Sequence, residues 1–123
     1  MNRIKSEIIK YAKMLNSKKL SALRSGNISI RHKDGFFITP SGKKYSFLKN
    51  SDIVFVNLDG TFNKKNGIPS SEWKFHQDIY LNKNEANAIV HAHSTNATAV
   101  STHKKGIPAF HYMVAMAGGS DIK

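Results

Sequence analysis

The stretch AIVHAH, residues 88–93, decides how this sequence folds and where its chemistry lies. It is a short apolar run with β-branched residues at its centre, which predicts a buried strand. Because side chains alternate along a strand, Ile89, His91 and His93 are expected on one face. Two imidazoles roughly 6–7 Å apart on one rigid strand can bind a single divalent metal. The pattern therefore favours a metal site over two histidines that each make a local hydrogen bond.

Helices and strands follow one another on both sides of this stretch. Apolar side chains at a helical period, such as Ile4, Ile8 and Leu15, predict an amphipathic N-terminal helix. A polar–apolar alternation, a turn and a second apolar run predict a β-hairpin. In all, helices are predicted over residues 2–17, 71–81 and 95–104, and strands over residues 27–31, 36–39, 52–58, 61–64, 88–93 and 107–117. The pattern indicates an α/β protein.

Length and composition place bounds on the class of protein. A chain of 123 residues is one domain at most, and its 40% hydrophobic content is ordinary for a globular protein. No apolar run approaches the ~20 residues of a membrane span, so we expect no membrane partner. The sequence contains no cysteine, which excludes disulfides and favours a cytoplasmic location.

The formal net charge of +11 raises the question of a nucleic-acid partner. The basic residues fall in scattered lysine pairs beside predicted turns or helix ends. Only three of the 19 are arginine, the side chain favoured for bidentate recognition of bases and phosphates. No zinc-finger, helix-turn-helix or ribonucleoprotein motif occurs in the sequence. We therefore expect no nucleic-acid partner, while the charge would attract small phosphorylated substrates.

Three breaks between predicted elements put N–H groups or hydroxyls where an anion could bind: Gly26-Asn27, Ser41-Gly42 and Ser70-Ser71. Each is also ordinary turn or capping chemistry, and taken singly that explanation is the stronger one. Glu72 comes next, in the first turn of a predicted helix, where the helix dipole favours an acid. His76 follows four residues later on the same helical face, where a packing or surface role would explain it equally well.

Taken in order, these motifs resemble the class II aldolase/adducin family along essentially the whole chain. The matching stretches are Ser25–Ser29, Ile38–Gly42, Pro69–Glu72 with His76, Ile89–Ser94 and Ile107–Gly119. The sequence is most similar to zinc-dependent aldolases of the fuculose-phosphate type. This resemblance implies a three-layer α/β/α fold around a largely antiparallel sheet, with the family's C-terminal portion missing from this chain.

The resemblance also implies roles for individual residues. His91 and His93 would be two of three zinc-binding histidines, and Glu72 would be an acid/base carboxylate that can also touch the metal. Tyr112 would transfer a proton at the aldehyde oxygen, and a complete protein is expected to be a homo-oligomer. The residues that would hold the substrate phosphate are Asn27, Ser41, Gly42, Ser70 and Ser71.

These residue types suit retro-aldol cleavage of a small phosphorylated ketose, in which an enediolate needs a metal cation at its oxygens. One departure concerns the metal ligands, because neither His103 nor His111 falls where the family has its third histidine. Two alternatives stay open. One is a non-catalytic relative or remnant similar to adducin. The other is an iron enzyme in which Glu72, His91 and His93 form a two-histidine, one-carboxylate site.

Overall fold

The computed structural model describes residues 1–22, 25–116, 119, 121 and 122, in two compact units that divide after His93. Among these residues, the first unit contains two α-helices and four strands, and the second contains two shorter helices. In chain order the elements are α1 (Asn2–Ser17), β1 (Asn27–His32), β2 (Gly35–Ile38), β3 (Val54–Asn57), α2 (Trp73–Asn82), β4 (Ala88–His91), α3 (Thr95–Thr102) and α4 (Tyr112–Met116), with 3₁₀ turns at Tyr45–Phe47, Asn50–Asp52 and Lys64–Asn66. No helix in the described ranges is long and apolar enough to cross a membrane.

The four strands form one antiparallel sheet in the order β3-β2-β1-β4. Strands β1 and β2 are the predicted hairpin. Strand β4 pairs with the other side of β1, with His91 opposite Asn27 and Ile89 opposite Ser29. Directly opposed residues of antiparallel strands point to the same face of a sheet. These four side chains therefore share one face.

Helix α1 covers the other face of the sheet, as its helical period predicted. Ile8, Ala12 and Leu15 are buried and pack with Ile28 of β1 and Phe37 of β2. Their spacing of three or four residues gathers the apolar side chains into one stripe. Each large apolar side chain buried here contributes about 1.5–3 kcal/mol. The α1 side of the sheet is therefore an apolar, stabilising layer.

Helix α2 covers the face of the sheet on which Ile89 and His91 of β4 lie. Phe36, Ile38 and Val56 of the sheet form a second apolar cluster with Tyr80 of α2, and the ring centroids of Phe36 and Tyr80 are 5.1 Å apart. Phe36 and its neighbour Phe37 thus face opposite helices, as strand alternation requires. The sheet lies between two helical layers, which confirms the expected α/β/α arrangement around an antiparallel sheet.

Arg31 of β1 ties the C-terminal end of α2 to the sheet. Its guanidinium donates hydrogen bonds of 2.8–3.0 Å to the carbonyl oxygens of Tyr80, Lys83 and Ala86. It also lies 4.6 Å from the centre of the Tyr80 ring. The last carbonyls of a helix have no partners within the helix, so a fork of cationic donors satisfies them.

Two predicted strands of the first unit need correction. No strand forms over residues 61–64, because the Asp59 carboxylate accepts hydrogen bonds from the N–H and hydroxyl of Thr61 and holds the start of this segment against the preceding turn. The strand predicted over residues 88–93 ends at His91. It is also only half-buried, because Val90 is 59% exposed on the face away from α2.

The second unit also departs from its prediction. The strand expected over residues 107–117 is reduced to one bridge between Ile107 and Ile122, and residues 112–116 form α4 instead. Methionine and alanine, which fill three of these five helical positions, are good helix formers. Ala117 and Gly118, the predicted strand end and the turn after it, lie outside the described residues.

We expect Arg31→Met to lower the free energy of unfolding by about 2 kcal/mol, because hydrogen bonds from charged groups contribute about 1.5–3 kcal/mol. Three carbonyls lose their hydrogen bond from the guanidinium, although that of Lys83 keeps one from the Ala86 N–H. Arg3→Met is the matched control, since Arg3 is exposed and pairs with Glu7 one helical turn away. Urea unfolding followed by circular dichroism measures both. Equal losses for the two variants would contradict the anchoring role of Arg31.

Candidate metal centre and anion pocket

Glu72, His91 and His93 form a cluster of potential metal ligands. One ligand atom from each residue lies within 4.8 Å of those from the other two. Nδ1 of His91 is 3.5 Å from Oε2 of Glu72. The two imidazole rings stack, with centroids 4.6 Å apart and planes 5° from parallel. The structure thus brings together the three residues that the sequence suggested for a metal.

The donor atoms of this cluster fit a divalent cation. Two atoms that each lie about 2.1 Å from one zinc ion are about 3.4 Å apart in tetrahedral geometry and at most about 4.2 Å apart. The separation of 3.5 Å between His91 Nδ1 and Glu72 Oε2 already has this value. A pair 4.8 Å apart would reach the tetrahedral separation if its two atoms together moved by about 1.4 Å. At least one imidazole would also have to rotate, because the lone pairs of two stacked, parallel rings do not converge on one ion. Imidazole nitrogen with carboxylate oxygen suits zinc and also iron.

Local backbone contacts hold the three residues in place. Strand β4 ends at His91, and the N–H of His93 donates to the Ser21 hydroxyl at 3.1 Å. Glu72 is the N-cap of α2 and not a first-turn residue as predicted. Its N–H donates to the Ser70 hydroxyl at 3.4 Å. The carboxylate therefore stands at the point where the chain enters the helix.

Gly26 lets the chain pass close behind the histidine strand. A Cβ atom at this position would lie 2.5 Å from Ser21 Oγ and 2.6 Å from the carbonyl oxygen of His91, closer than real Cβ contacts come. Its φ of +77° also favours glycine. The carbonyl of Gly26 accepts a hydrogen bond from the buried hydroxyl of Tyr45, and burial raises the pKa of that hydroxyl. Glycine at position 26 is thus required for packing.

A cavity of about 260 Å³ opens beside the cluster. This volume is slightly below the roughly 300–1,000 Å³ of typical small-molecule pockets. Glu72 and His93 contribute to its wall. The wall also contains every residue predicted to bind phosphate, namely Asn27, Ser41, Gly42, Ser70 and Ser71. The structure therefore places the residues predicted to bind an anion around one cavity, next to Glu72 and His93 of the candidate metal-ligand cluster.

The two serine loops of the cavity meet through a short antiparallel bridge at Pro40 and Pro69. The backbone N–H groups of Ser41 and Ser70 each donate to a backbone carbonyl at 3.0 Å as part of this contact. These two amides are therefore occupied, which leaves the serine hydroxyls as the donors available there. The serine hydroxyls of the same loops are the better donors for an anion.

A line of polar side chains runs from the cluster into the layer between β1 and α2. Asn27 Nδ2 donates to Glu72 Oε2 at 2.5 Å, and Asn27 Oδ1 is 2.5 Å from His76 Nε2. Ser29 Oγ is 2.7 Å from both His76 Nδ1 and the Tyr80 hydroxyl. All except Glu72 are 2% exposed or less. Burial is the main cause that lowers the pKa of His76 to about 4, so its imidazole is neutral near pH 7.

The contacts of Ser29 with His76 and Tyr80 were not predicted from the sequence, although both elements carry a polar stripe. Glu72, His76 and Tyr80 are spaced four residues apart and so lie in one stripe of α2. Asn27 and Ser29 alternate along β1 and so share a face. The sequence periods do not predict that the stripe on α2 faces the stripe on β1, because that depends on how α2 packs on the sheet.

Tyr112 belongs to the second unit, where it begins α4 and is 72% exposed. The geometry of the first unit does not test its catalytic role, which stays a prediction. His103 and His111 lie in the same unit and are also exposed. The residues named for the cluster and the cavity all belong to the first unit.

Comparison with known proteins identifies the family. Residues 6–123 match the family model described as "Class II Aldolase and Adducin N-terminal domain". The chain belongs to the class II aldolase/adducin family. The resemblance inferred from the five sequence motifs is thereby confirmed.

Two curated relatives and one solved structure illustrate the match to class II aldolases. The L-fuculose phosphate aldolase of Escherichia coli (strain K12) is 41% identical over 121 residues, which cover 98% of this chain and 56% of the relative. The 5-methylthioribulose-1-phosphate/5-deoxyribulose-1-phosphate aldolase of Rhodospirillum rubrum is 42% identical over 116 residues, covering 94% and 52%. A solved L-fuculose 1-phosphate aldolase superposes with a TM-score of 0.89 at 37% identity, over 100% of this chain and 58% of that one. The chain spans about half the length of the curated relatives it matches.

We expect His76 to make stability depend on pH between about 4 and 6.5. The folded protein keeps this imidazole neutral down to its pKa of about 4, whereas the unfolded chain takes up a proton near pH 6.5. The unfolded state binds more protons in this window. The free energy of unfolding therefore falls as the pH drops from 6.5 to 4, by up to about 3 kcal/mol, and the contribution is complete above pH 6.5.

Urea unfolding of the wild type and His76→Gln at a series of pH values measures this effect. The difference between the two proteins isolates His76 from the titratable groups that both proteins share. The difference in the free energy of unfolding between the wild type and His76→Gln should change between pH 4 and 6.5 and stay constant above pH 6.5. A constant gap throughout would show that His76 titrates alike in both states.

Proposed function

We propose that the protein is a zinc-dependent lyase of the aldolase type that cleaves a small phosphorylated ketose. The observation that carries this proposal is the meeting of Glu72 with His91 and His93 beside a cavity lined by the residues expected to bind phosphate. Relatives named as aldolases of phosphorylated sugars support the same reaction class.

His91, His93 and Glu72 are the residues that would hold the zinc ion. Zinc bound there would supply a Lewis acid that polarises substrate oxygens next to the bond that breaks. Catalytic zinc sites commonly have three protein ligands, which leaves a position for substrate or water. With two histidines, the third ligand of this set has to be the carboxylate. The affinity for metal then depends on how firmly Glu72 is held.

The substrate phosphate would bind on the serine-rich side of the cavity. Ser41, Ser70 and Ser71 carry hydroxyl donors on its wall. The Asn27 amide nitrogen has two hydrogens, of which one is donated to Glu72. The net charge of +11 would raise the local concentration of anionic substrates. A phosphate held there would fix the orientation of the rest of the sugar.

Retro-aldol cleavage needs proton transfers at two atoms. A proton leaves the C4 hydroxyl, the C3–C4 bond breaks, and its electron pair passes to the enediolate formed over C2 and C3. We assign to Glu72 the proton delivered to C3, because this carboxylate borders both the cavity and the histidines. Tyr112 is our candidate for the proton at the aldehyde oxygen, as the family resemblance implies.

We expect the chain to bind zinc weakly, with a Kd that rises at least about tenfold in His91→Ala, because ligand count governs affinity. His103→Ala is the matched control, since His103 is an exposed histidine of the second unit. Competition with a chromophoric chelator measures both. Unchanged zinc binding by His91→Ala would place the metal elsewhere. Iron(II) bound more tightly than zinc under anaerobic conditions would favour the iron alternative.

A second test addresses the reaction in the chain extended by the C-terminal portion of the Escherichia coli relative. Glu72→Gln should slow cleavage of fuculose 1-phosphate by about 10²–10⁴-fold at saturating zinc, the usual contribution of a general acid or base. Ser71→Ala should act mainly on KM, because phosphate is held in both the ground and transition states. Unimpaired cleavage by Glu72→Gln would move the proton-transfer role to another residue.

A further inference from the structure

His76 is fully buried in α2 and reaches the metal cluster through one intervening side chain, Asn27. Both of its ring nitrogens are engaged, Nε2 with Asn27 Oδ1 at 2.5 Å and Nδ1 with Ser29 Oγ at 2.7 Å. Ser29 in turn lies 2.7 Å from the Tyr80 hydroxyl. This contact line ends at Oε2 of Glu72, 2.5 Å from Asn27 Nδ2.

The donor and acceptor properties of these groups allow hydrogen bonds to be donated in only one direction along this line. The Glu72 carboxylate only accepts hydrogen bonds, so Asn27 must turn its NH₂ group toward it. The Asn27 carbonyl oxygen then faces His76 and can only accept, so Nε2 of His76 must carry the ring proton. A neutral imidazole with its proton on Nε2 accepts at Nδ1, which requires the Ser29 hydroxyl to donate there. Ser29 Oγ then accepts from the Tyr80 hydroxyl.

The opposite orientation of the Asn27 amide is unfavourable at the Glu72 end for either tautomer of His76, because it sets the amide oxygen against a carboxylate that only accepts hydrogen bonds. With the ring proton on Nε2 it is unfavourable at the buried end as well, because the NH₂ group would then face the N–H of His76. The Glu72 carboxylate and the proton on His76 Nε2 therefore favour the same orientation of the amide.

We propose that His76 is a positioning residue for the metal centre: by donating from Nε2, it locks the Asn27 amide so that Asn27 holds Glu72 in position to act as a metal ligand. The inference deepens the proposed function and rests on it for the metal-ligand role of Glu72. Asn27 occupies one of the four lone-pair sites of the carboxylate and leaves the others for metal and substrate. Partners that orient ligands in this way commonly change metal affinity by 10–100-fold when lost.

The tautomer of His76 can be observed directly in the wild-type chain, without any metal. Long-range ¹H–¹⁵N correlation spectra at pH 7 distinguish a protonated ring nitrogen from an unprotonated one, and the signals that vanish in His76→Gln belong to His76. We expect protonated Nε2 and unprotonated Nδ1. A proton on Nδ1, or on both nitrogens, would overturn the proposal whether or not the protein binds a metal.

Two variants separate the Asn27 contact from simple packing. A glutamine side chain can place its amide NH₂ near the position of Nε2, whereas asparagine reaches only as far as Nδ1. His76→Asn should therefore weaken zinc binding by about tenfold or more, and His76→Gln should restore it to within about threefold of wild type. Val56→Ala, a cavity variant in the apolar cluster on the same face, controls for lost stability and should bind zinc normally.

The outcomes distinguish failure of the inference from failure of the proposed function. Loss of zinc binding in His91→Ala, together with normal binding in both His76 variants, would refute the positioning role alone. Normal binding in His91→Ala would refute the metal site itself. Equal weakening by His76→Asn and His76→Gln would mean that His76 acts through packing, which also refutes the proposal. If both His76 variants fail to fold, the wild-type tautomer decides.

Discussion

The structure depends on the row of polar side chains that β1 presents to α2. Arg31 binds carbonyls at the C-terminal end of the helix, Ser29 contacts its middle, and Asn27 meets Glu72 at its start. Unpaired polar groups in such a layer cost about 1–3 kcal/mol each, so each contact resists a shift of the helix. Among the described residues, no buried side-chain nitrogen or oxygen lacks a partner. Strand β1 thereby fixes where α2 begins. His91 lies on the neighbouring strand β4, paired with Asn27 of β1.

The two faces of the sheet have different roles: one stabilises the fold, and the other carries the candidate metal centre. The α1 face is apolar, with Ile8, Ala12 and Leu15 packed on the strands. The α2 face combines an apolar cluster around Tyr80 with the polar row that ends at the candidate metal centre. Close packing of the first face allows the second to bury polar groups whose net contribution to stability is small. Such a fully paired network is rigid, which is what a metal site with few ligands requires.

Elements that depend on local period were predictable, and those that depend on docking were not. Helix α1 and the β1–β2 hairpin follow the apolar pattern closely, and the His91/His93 pair was found from strand alternation. The contact of Ser29 with His76 could not be predicted, because it joins two elements whose relative placement no local pattern specifies. The strand predicted over residues 61–64 was wrong because side-chain hydrogen bonds at Thr61 override strand propensity.

X-ray absorption at the zinc edge of the metal-loaded chain can show directly whether Glu72, His91 and His93 hold the metal. Zinc bound by these residues should have nitrogen and oxygen neighbours about 2.0–2.2 Å away, with the multiple-scattering pattern of two imidazoles, one of which disappears in His91→Ala. A spectrum with three or more imidazoles, or one unchanged by His91→Ala, would show that the metal is not held by Glu72, His91 and His93.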